Sequence, residues 1–223
     1  NKGYDRVFQR IDKDKNSFWY YKKDKLISID SFNDPRSYMV GKKFLELKIN
    51  PNPKDIVSTK IDLLNNLIHK VDTLIVGGGM ANTFLLAQGF FIGASLAEHA
   101  LKDSALNILN SAEKAGCSIL LPTDVVVAKE LNVNVESFVV PVNECPEDTM
   151  ILDVGPQTVE RIKQSLLNTE TLVWNGPLGA CEIEPFDRAT TDLANFVSKL
   201  SDNNKLVSIA GGGDTLAALK LSL

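Results

Sequence analysis

Three glycine-rich turns are the segments of this chain best suited to hold a phosphorylated ligand. Each turn follows a short apolar run; the turns are Gly77-Gly78-Gly79, residues 175–179 and Gly211-Gly212-Gly213. Glycine lets the backbone approach a ligand closely, and free N–H groups at the start of a helix favour phosphate. One such turn is explained equally well by tight strand-to-helix geometry. Three of them at one edge of a sheet predict a phosphate or nucleotide site.

Polar residues beside these turns have a possible chemical role and a plain structural one. Asp214 could ligate magnesium beside phosphates, or cap the following helix. Thr215 could donate its hydroxyl to phosphate, or simply occupy the first helical turn. Lys60 could stabilise a moving phosphoryl group, or be an ordinary surface lysine. Asn175 is a turn residue or a phosphate contact, and Glu182 is a solvated carboxylate or an acceptor for ribose hydroxyls.

The pattern around the turns predicts alternating strands and helices. Apolar runs indicate strands at 73–76, 118–121, 124–127, 151–153, 171–174 and 206–210, and periodic segments indicate helices at 59–70, 80–88, 95–115 and 189–200. Gly116 is suited to a helix C-terminus, and Pro156 is suited to the first position of another helix. In the region before residue 50, residues 25–29 indicate one short strand. Because the strands are apolar on both faces, helices should cover both sides of the sheet. The sequence therefore predicts an α/β fold, a doubly wound parallel sheet in a three-layer α/β/α arrangement. In such a sheet ligands bind beyond the carboxyl ends of the strands.

The composition of the chain limits the classes of partner that it is expected to bind. The 223 residues carry a net charge of −4, which argues against a nucleic-acid surface, and no apolar run reaches membrane-spanning length. The first ten residues show no apolar leader. Cys117, Cys145 and Cys181 are widely spaced and odd in number, which indicates reduced thiols rather than disulfides or a zinc site. We expect a cytoplasmic monomer that acts on small molecules.

Several phosphate-binding motifs are absent from the sequence. There is no G-x-x-x-x-G-K-[ST], no G-x-G-x-x-G after a strand and no protein-kinase motif set. A nicotinamide-dependent dehydrogenase on a similar sheet stays a weaker alternative, since its fingerprint turn is missing.

Taken together, the motifs resemble those of phosphoglycerate kinase. The similarity covers most of residues 57–218, in the family's order and at about its spacing. The most specific strings are VDTLIVGGGMANTF, WNGPLG and SIAGGGDT, which begin at Val71, Trp174 and Ser208. The residues of these motifs resemble those of bacterial members of the family.

The resemblance implies a C-terminal nucleotide-binding domain and a set of site residues. It implies binding of ATP or ADP with Mg²⁺, and reversible phosphoryl transfer between 1,3-bisphosphoglycerate and ADP. Phosphoglycerate and the nucleotide would be the small-molecule partners. The implied catalytic residues are Lys60 and Gly212, and Asp214 would hold the metal. The implied nucleotide-binding residues are Gly77, Gly78, Gly79, Asn175, Pro177, Glu182, Gly211, Gly213, Asp214 and Thr215.

The departures from the family pattern concern the two ends. A Gly-Gly-x-Lys segment is replaced by Pro53-Lys54-Asp55-Ile56, Cys181 replaces an aromatic residue, and a last glycine loop does not follow. We expect residues 1–50 to be a remnant of the substrate domain or an appendage, and residues 51–223 to be a nucleotide-binding domain truncated at its C-terminus. Either stretches of the family's chain are absent from this sequence, or the protein is a truncated variant. The alternative function is therefore a nucleotide-binding module without catalytic activity.

Overall fold

The computed structural model describes residues 3–12, 15–48, 50–51, 60–211 and 215. The chain divides into two compact units, residues 1–66 and residues 67–223. The glycine turns all belong to the second unit, whereas Lys60 belongs to the first.

The first unit contains an antiparallel three-stranded sheet and a helix. Its strands are β1 (Arg6–Asp12), β2 (Lys15–Lys22) and β3 (Lys25–Phe32), in the order β1-β2-β3, and helix α1 is Pro35–Glu46. The β2–β3 turn consists of Lys23 and Asp24, both with positive φ, as a two-residue hairpin requires. Alternate β2 residues are buried, so the sheet packs one face into a core of Trp19, Tyr21, Leu26 and Ile29.

The sequence pattern predicted only one strand in this region, at residues 25–29. The structure extends that strand to Phe32 and adds two partners. Helix α1 lies close to β3, since a Cβ on Gly41 would come within 2.8 Å of the Ile29 side chain. The Tyr21 hydroxyl also donates to the Pro51 carbonyl at 2.8 Å, which holds the chain after α1 against the sheet.

Residues 60 to 211 form a mixture of helices and strands. The helices are α2 (Lys60–Leu67), which crosses the boundary between the units, α3 (Gly78–Ala87), α4 (Lys102–Ala115), α5 (Pro156–Leu166) and α6 (Arg188–Asp202). The strands are β4 (Thr73–Ile75), β5 (Ser118–Leu120), β6 (Asp124–Ala128), β7 (Ser137–Pro141), β8 (Met150–Val154), β9 (Thr171–Asn175) and β10 (Val207–Gly211). Two short 3₁₀ turns, His99–Leu101 and Val142–Glu144, complete the described elements.

Strand pairing in the second unit confirms the α/β class. β4 pairs with β5 and β9 pairs with β10, both in parallel, and the structure adds an antiparallel sheet of order β7-β6-β8. The sequence analysis did not predict β7, although Phe138, Val139 and Val140 form an apolar run; the structure leaves Phe138 and Val139 exposed. Helices α5 and α6 pack their apolar faces around buried Trp174 and Leu178, and this core lies beneath the turn that follows β9.

Two helix termini agree with the sequence-based prediction, and the start of one helix does not. Gly116 ends α4 in the left-handed conformation, and Pro156 begins α5, both as predicted. The predicted helix at 95–115 is wrong over its first residues, because α4 begins only at Lys102. The Asn82 side chain donates to the Leu96 carbonyl at 3.1 Å, and the Ser95 hydroxyl accepts from the Ile151 N–H at 2.8 Å. These bonds hold residues 95–98 in an irregular conformation.

Candidate functional site

The first glycine turn joins β4 to α3 and leaves the start of that helix without a side-chain cap. Gly77 is the N-cap residue, and it has no side chain that could accept a hydrogen bond. Gly78 has φ +58°, in the left-handed region that favours glycine. The positive end of the α3 dipole is therefore not balanced by a carboxylate or hydroxyl of its own cap.

The second glycine turn follows β9. Gly176 has φ +108°, again a conformation suited to glycine. The indole N–H of the buried Trp174 donates to the Gly176 carbonyl at 2.7 Å. The turn is thus anchored in the core by the residue that ends the buried part of β9.

The described residues of the three turns lie close together, although the turns follow two separate strand pairs, β4–β5 and β9–β10. The Gly78 N–H donates to the Leu178 carbonyl at 3.0 Å, which joins the first turn to the second. The Gly176 N–H donates to the Thr215 hydroxyl at 2.6 Å, which joins the second turn to the segment after β10. Gly211 also lies opposite Asn175 in the parallel pair of β9 and β10. Segments more than thirty residues apart in sequence thus form one rim at the strands' carboxyl ends.

No described residue fills the space beside one glycine of each turn. A Cβ atom built on Gly78, Gly176 or Gly211 would meet no atom of residues 3–12, 15–48, 50–51, 60–211 or 215 within 4 Å. In contrast, a Cβ on Gly77 would lie 3.2 Å from the Leu178 Cα, so this glycine serves the contact between turns. The turns of the rim therefore pack closely against one another. One glycine in each turn borders space that no described residue fills.

Hydrogen bonds to α6 and β8 hold the second turn in place. The Leu178 N–H donates to the hydroxyl of buried Thr190 at 3.0 Å, and the Ala180 N–H donates to the Leu152 carbonyl at 2.8 Å. The position of the turn therefore depends on the first residues of α6 and on the end of β8.

A buried carboxylate, Asp153, lies where α6, β8 and the second turn meet. One oxygen accepts from the Ala189 N–H at 3.0 Å and the other from the Val154 N–H at 2.9 Å. Burial raises the pKa of Asp153 to about 7; its two backbone hydrogen bonds oppose this rise, and the nearby charge of Asp187 adds to it. Gly179 packs so closely that a Cβ there would collide with the carboxylate.

Asp124 occupies the start of α5. Its carboxylate accepts from the Gln157 N–H at 2.9 Å, from the Thr158 N–H at 2.7 Å and from the Thr158 hydroxyl at 2.6 Å. A Cβ on Gly155 would collide with it. The N-terminus of α5 is thus filled by the protein's own anion, and Asp124 has a structural capping role.

A family model described as phosphoglycerate kinase matches residues 55–222. The chain belongs to the phosphoglycerate kinase family. It is 55% identical over 163 residues to the phosphoglycerate kinase of Chelativorans sp. and 58% identical over 163 residues to that of Zymomonas mobilis. Each match covers 73% of this chain and 41% of the relative, so the chain spans about two fifths of the relatives' length.

Solved structures agree with this family. Phosphoglycerate kinase from Coxiella burnetii is 46% identical with a TM-score of 0.70, and the match covers 74% of this chain and 42% of that chain. The Pyrococcus horikoshii phosphoglycerate kinase, at 22% identity, has a TM-score of 0.53 over 74% of this chain and 42% of that one. The latter supports the fold alone.

A second family model, described as Reductase C-terminal, matches residues 1–67. This range nearly coincides with the first compact unit, residues 1–66, and overlaps the phosphoglycerate kinase match at residues 55–67. The interpretation of residues 1–50 as a remnant or appendage stays a prediction, as does a nucleotide-binding domain over 51–223.

The structure brings together seven of the residues expected from the phosphoglycerate kinase pattern. They are Gly77, Gly78, Gly79, Asn175, Pro177, Gly211 and Thr215. Glu182 lies exposed in the irregular segment after the second turn. Gly212, Gly213 and Asp214 lie outside the described residues. Lys60 begins α2, and its side chain is likewise outside the description.

Thr215 has a contact that the sequence did not indicate. Its side chain is buried and accepts the Gly176 N–H. Its expected contact with phosphate stays a prediction. The hydroxyl nevertheless has a definite role, since it joins two of the glycine turns.

Within the part of the chain that the structure describes, no group of three or more His, Cys, Asp and Glu side chains could hold a metal ion. Since Asp214 is outside that part, the magnesium site stays a prediction. No helix among the described residues is both long and apolar enough to cross a membrane. Cys117, Cys145 and Cys181 form no disulfide in this structure.

Sequence reasoning missed Asp153 and Thr190 as supports of the site. Asp153 is a carboxylate between Leu152 and Val154 at the end of an apolar strand, and that position could have indicated burial. Thr190 has no comparable signal, because a threonine near the start of a helix is commonplace.

Proposed function

We propose that this chain carries the nucleotide site of phosphoglycerate kinase. The proposed reaction is reversible phosphoryl transfer between 1,3-bisphosphoglycerate and ADP, which gives 3-phosphoglycerate and ATP in glycolysis. The observation that supports the site is the convergence of three glycine turns through the Gly78–Leu178 and Gly176–Thr215 hydrogen bonds. Unfilled space beside Gly78, Gly176 and Gly211 is suited to an inserted ligand.

The nucleotide would lie along this rim with its parts assigned to different turns. The first turn, Gly77–Gly79, would line the adenine side, and exposed Glu182 would accept hydrogen bonds from the ribose hydroxyls. Asn175, Pro177 and the glycines 211–213 would lie beside the phosphates. Backbone N–H groups are suitable partners there, since they bring positive partial charge without side-chain bulk.

Phosphoryl transfer requires mainly positioning and charge stabilisation. Lys60 and Gly212 would stabilise the transferring group, and Asp214 would hold Mg²⁺, a hard cation that prefers carboxylate oxygen. Magnesium, when bound, would neutralise charge on the phosphates. The described residues include only the proposed nucleotide side of this arrangement.

A second candidate is a nucleotide-binding module without catalytic activity. It is favoured by the match of residues 1–67 to a different family. Transfer would be inefficient without a site that orients phosphoglycerate, because orientation supplies a large part of the rate enhancement. On this view the first unit is an appended domain similar to the Reductase C-terminal family.

Two measurements distinguish these candidates. Calorimetric titration of the full chain with ADP and Mg²⁺ tests the nucleotide site, which both candidates require. A coupled assay of ATP-dependent phosphorylation of 3-phosphoglycerate then tests activity. Turnover supports the kinase, ADP binding without turnover supports the module, and absence of ADP binding contradicts both.

Location and assembly are further parts of the proposal. We expect a cytoplasmic protein, since three cysteines without a disulfide suit a reducing compartment and the family's substrates are small metabolites. We also expect a monomer, which light scattering of the purified chain would test.

A further inference from the structure

The turn at residues 175–180 is held through alternate backbone N–H groups. Gly176 donates to Thr215 at 2.6 Å, Leu178 donates to Thr190 at 3.0 Å, and Ala180 donates to the Leu152 carbonyl at 2.8 Å. The two threonine side chains are 2% and 1% exposed, so water competes poorly for these bonds. The turn therefore has a fixed inner side, with the first glycine turn bonded to its Leu178 carbonyl.

Asp153 joins the supports of this turn to one another. Its carboxylate accepts the N–H of Ala189, the residue directly before Thr190, and it contacts the backbone at Gly179. It also follows Leu152, whose carbonyl holds Ala180. One buried side chain thus fixes the start of α6 and the base of the turn.

We propose that Asp153 is a positioning residue for nucleotide binding, which acts through Thr190 and Gly179 on the turn at residues 175–180. This inference rests on the proposed nucleotide site. Loss of the carboxylate would release the Ala189 N–H and shift Thr190. The Leu178 peptide, which carries one hydrogen bond to Thr190 and one to Gly78, would shift with it.

Amide hydrogen exchange of the ligand-free full chain tests the positioning step. Asp153→Asn keeps the size of the side chain, but its NH₂ group cannot accept one of the two backbone N–H bonds. We expect exchange at Leu178 and Ala180 to accelerate about tenfold, the effect of losing one buried hydrogen bond. Asp124→Asn is the matched control, because Asp124 is also a buried carboxylate that caps a helix beside a glycine. It should leave Leu178 and Ala180 unchanged.

Titration with ADP and Mg²⁺ tests the link to binding. We expect Asp153→Asn to raise the dissociation constant about tenfold and Asp124→Asn to change it less than about twofold. Thr190→Val, which retains the shape of threonine, should accelerate exchange at Leu178 and weaken ADP binding in the same direction. It serves as the test should Asp153→Asn fail to fold.

Different results would overturn the positioning role of Asp153 and the proposed nucleotide site. Unchanged exchange at Leu178 in both Asp153→Asn and Thr190→Val would overturn the positioning role. Equal weakening of ADP binding by Asp153→Asn and Asp124→Asn would overturn it too, since the effect would be general destabilisation. If the unaltered chain binds no ADP, the proposed function fails, and hydrogen exchange still decides whether Asp153 positions the turn.

Discussion

Two helices of the second unit, α3 and α5, each begin directly after a glycine. Different groups lie at their first N–H groups. At α5 the carboxylate of Asp124 accepts from Gln157 and Thr158. At α3 the N-cap Gly77 has no side-chain acceptor, and the Gly78 N–H donates to the Leu178 carbonyl of the second turn. We call the α5 start closed, because a carboxylate fills it, and the α3 start open, because no described residue fills the space beside Gly78.

We interpret this difference as one between a glycine turn that serves folding and a glycine turn that is proposed to bind a ligand. Gly155 is required because Asp124 leaves no room for a Cβ, so the protein itself uses the space that glycine provides. At Gly78, Gly176 and Gly211 the corresponding space is unfilled. We infer that the closed turn contributes to stability and the open turns contribute to binding.

The largest expected effect is on stability at the closed helix start. Asp124→Ala removes the acceptor for two backbone N–H groups and one hydroxyl, and it leaves a cavity against Gly155. We expect a loss of about 4 kcal/mol in the free energy of unfolding, measured by urea denaturation. ADP affinity at a temperature well below the transition should stay within about twofold. A large loss of affinity in a folded Asp124→Ala protein would contradict the distinction between the two helix starts.

The second effect concerns pH and Asp153. Its pKa rises from 3.8 to about 7 on folding, mainly because burial disfavours the charged form. The folded protein therefore binds a proton more tightly than the unfolded chain, and this contribution to stability is complete below about pH 4 and is lost as pH rises to about 7. We expect a slope of up to about 1.4 kcal/mol per pH unit in that range. Urea denaturation of Asp153→Asn should show a shallower slope, and identical slopes would remove Asp153 as its source.

The third effect is on nucleotide affinity at an open turn. Asparagine tolerates positive φ better than most residues, so Gly78→Asn should fold while its side chain enters the space beside the turn. We expect ADP affinity to fall about tenfold. Gly116→Asn is the control, because Gly116 also has positive φ and open space but ends α4. Similar calorimetric affinities for the two variants would count against Gly78 as part of the site.

The smallest effect is expected at the exposed edge of the site. Glu182→Ala should weaken ADP binding about fivefold, since a charged hydrogen bond to ribose in partial contact with water contributes modestly. Binding of inorganic triphosphate should not change, because that ligand lacks ribose. Equal weakening of both ligands in calorimetric titrations would rule out a ribose contact.

Much of the fold was predictable from local patterns. The strands at Thr171–Asn175 and Val207–Gly211 were apparent as apolar runs that end in glycine, and Gly116 and Pro156 correctly indicated helix ends. The β7 strand and the late start of α4 were not predicted. Both depend on bonds to distant residues, such as the Asn82 amide with Leu96, which leave no periodic signal.

The candidate site was predictable in its loops but not in its supports. Glycine turns are evident in a sequence because few other residues take their backbone angles. Thr190 and Asp153 act from elements that precede or follow the turn by more than ten residues, so only the folded chain brings them together. The roles of Lys60, Gly212, Gly213 and Asp214 stay predictions from the family pattern.

The central claim is that three glycine turns, distant in sequence, form one nucleotide site. An NMR titration of the ¹⁵N-labelled chain with ADP and Mg²⁺ tests it directly. We predict that the amide signals of Gly78, Gly176 and Gly211 shift together with a single dissociation constant, while those of Gly155 and Gly116 stay in place. Shifts confined to one turn, or largest at Gly155, would contradict the account.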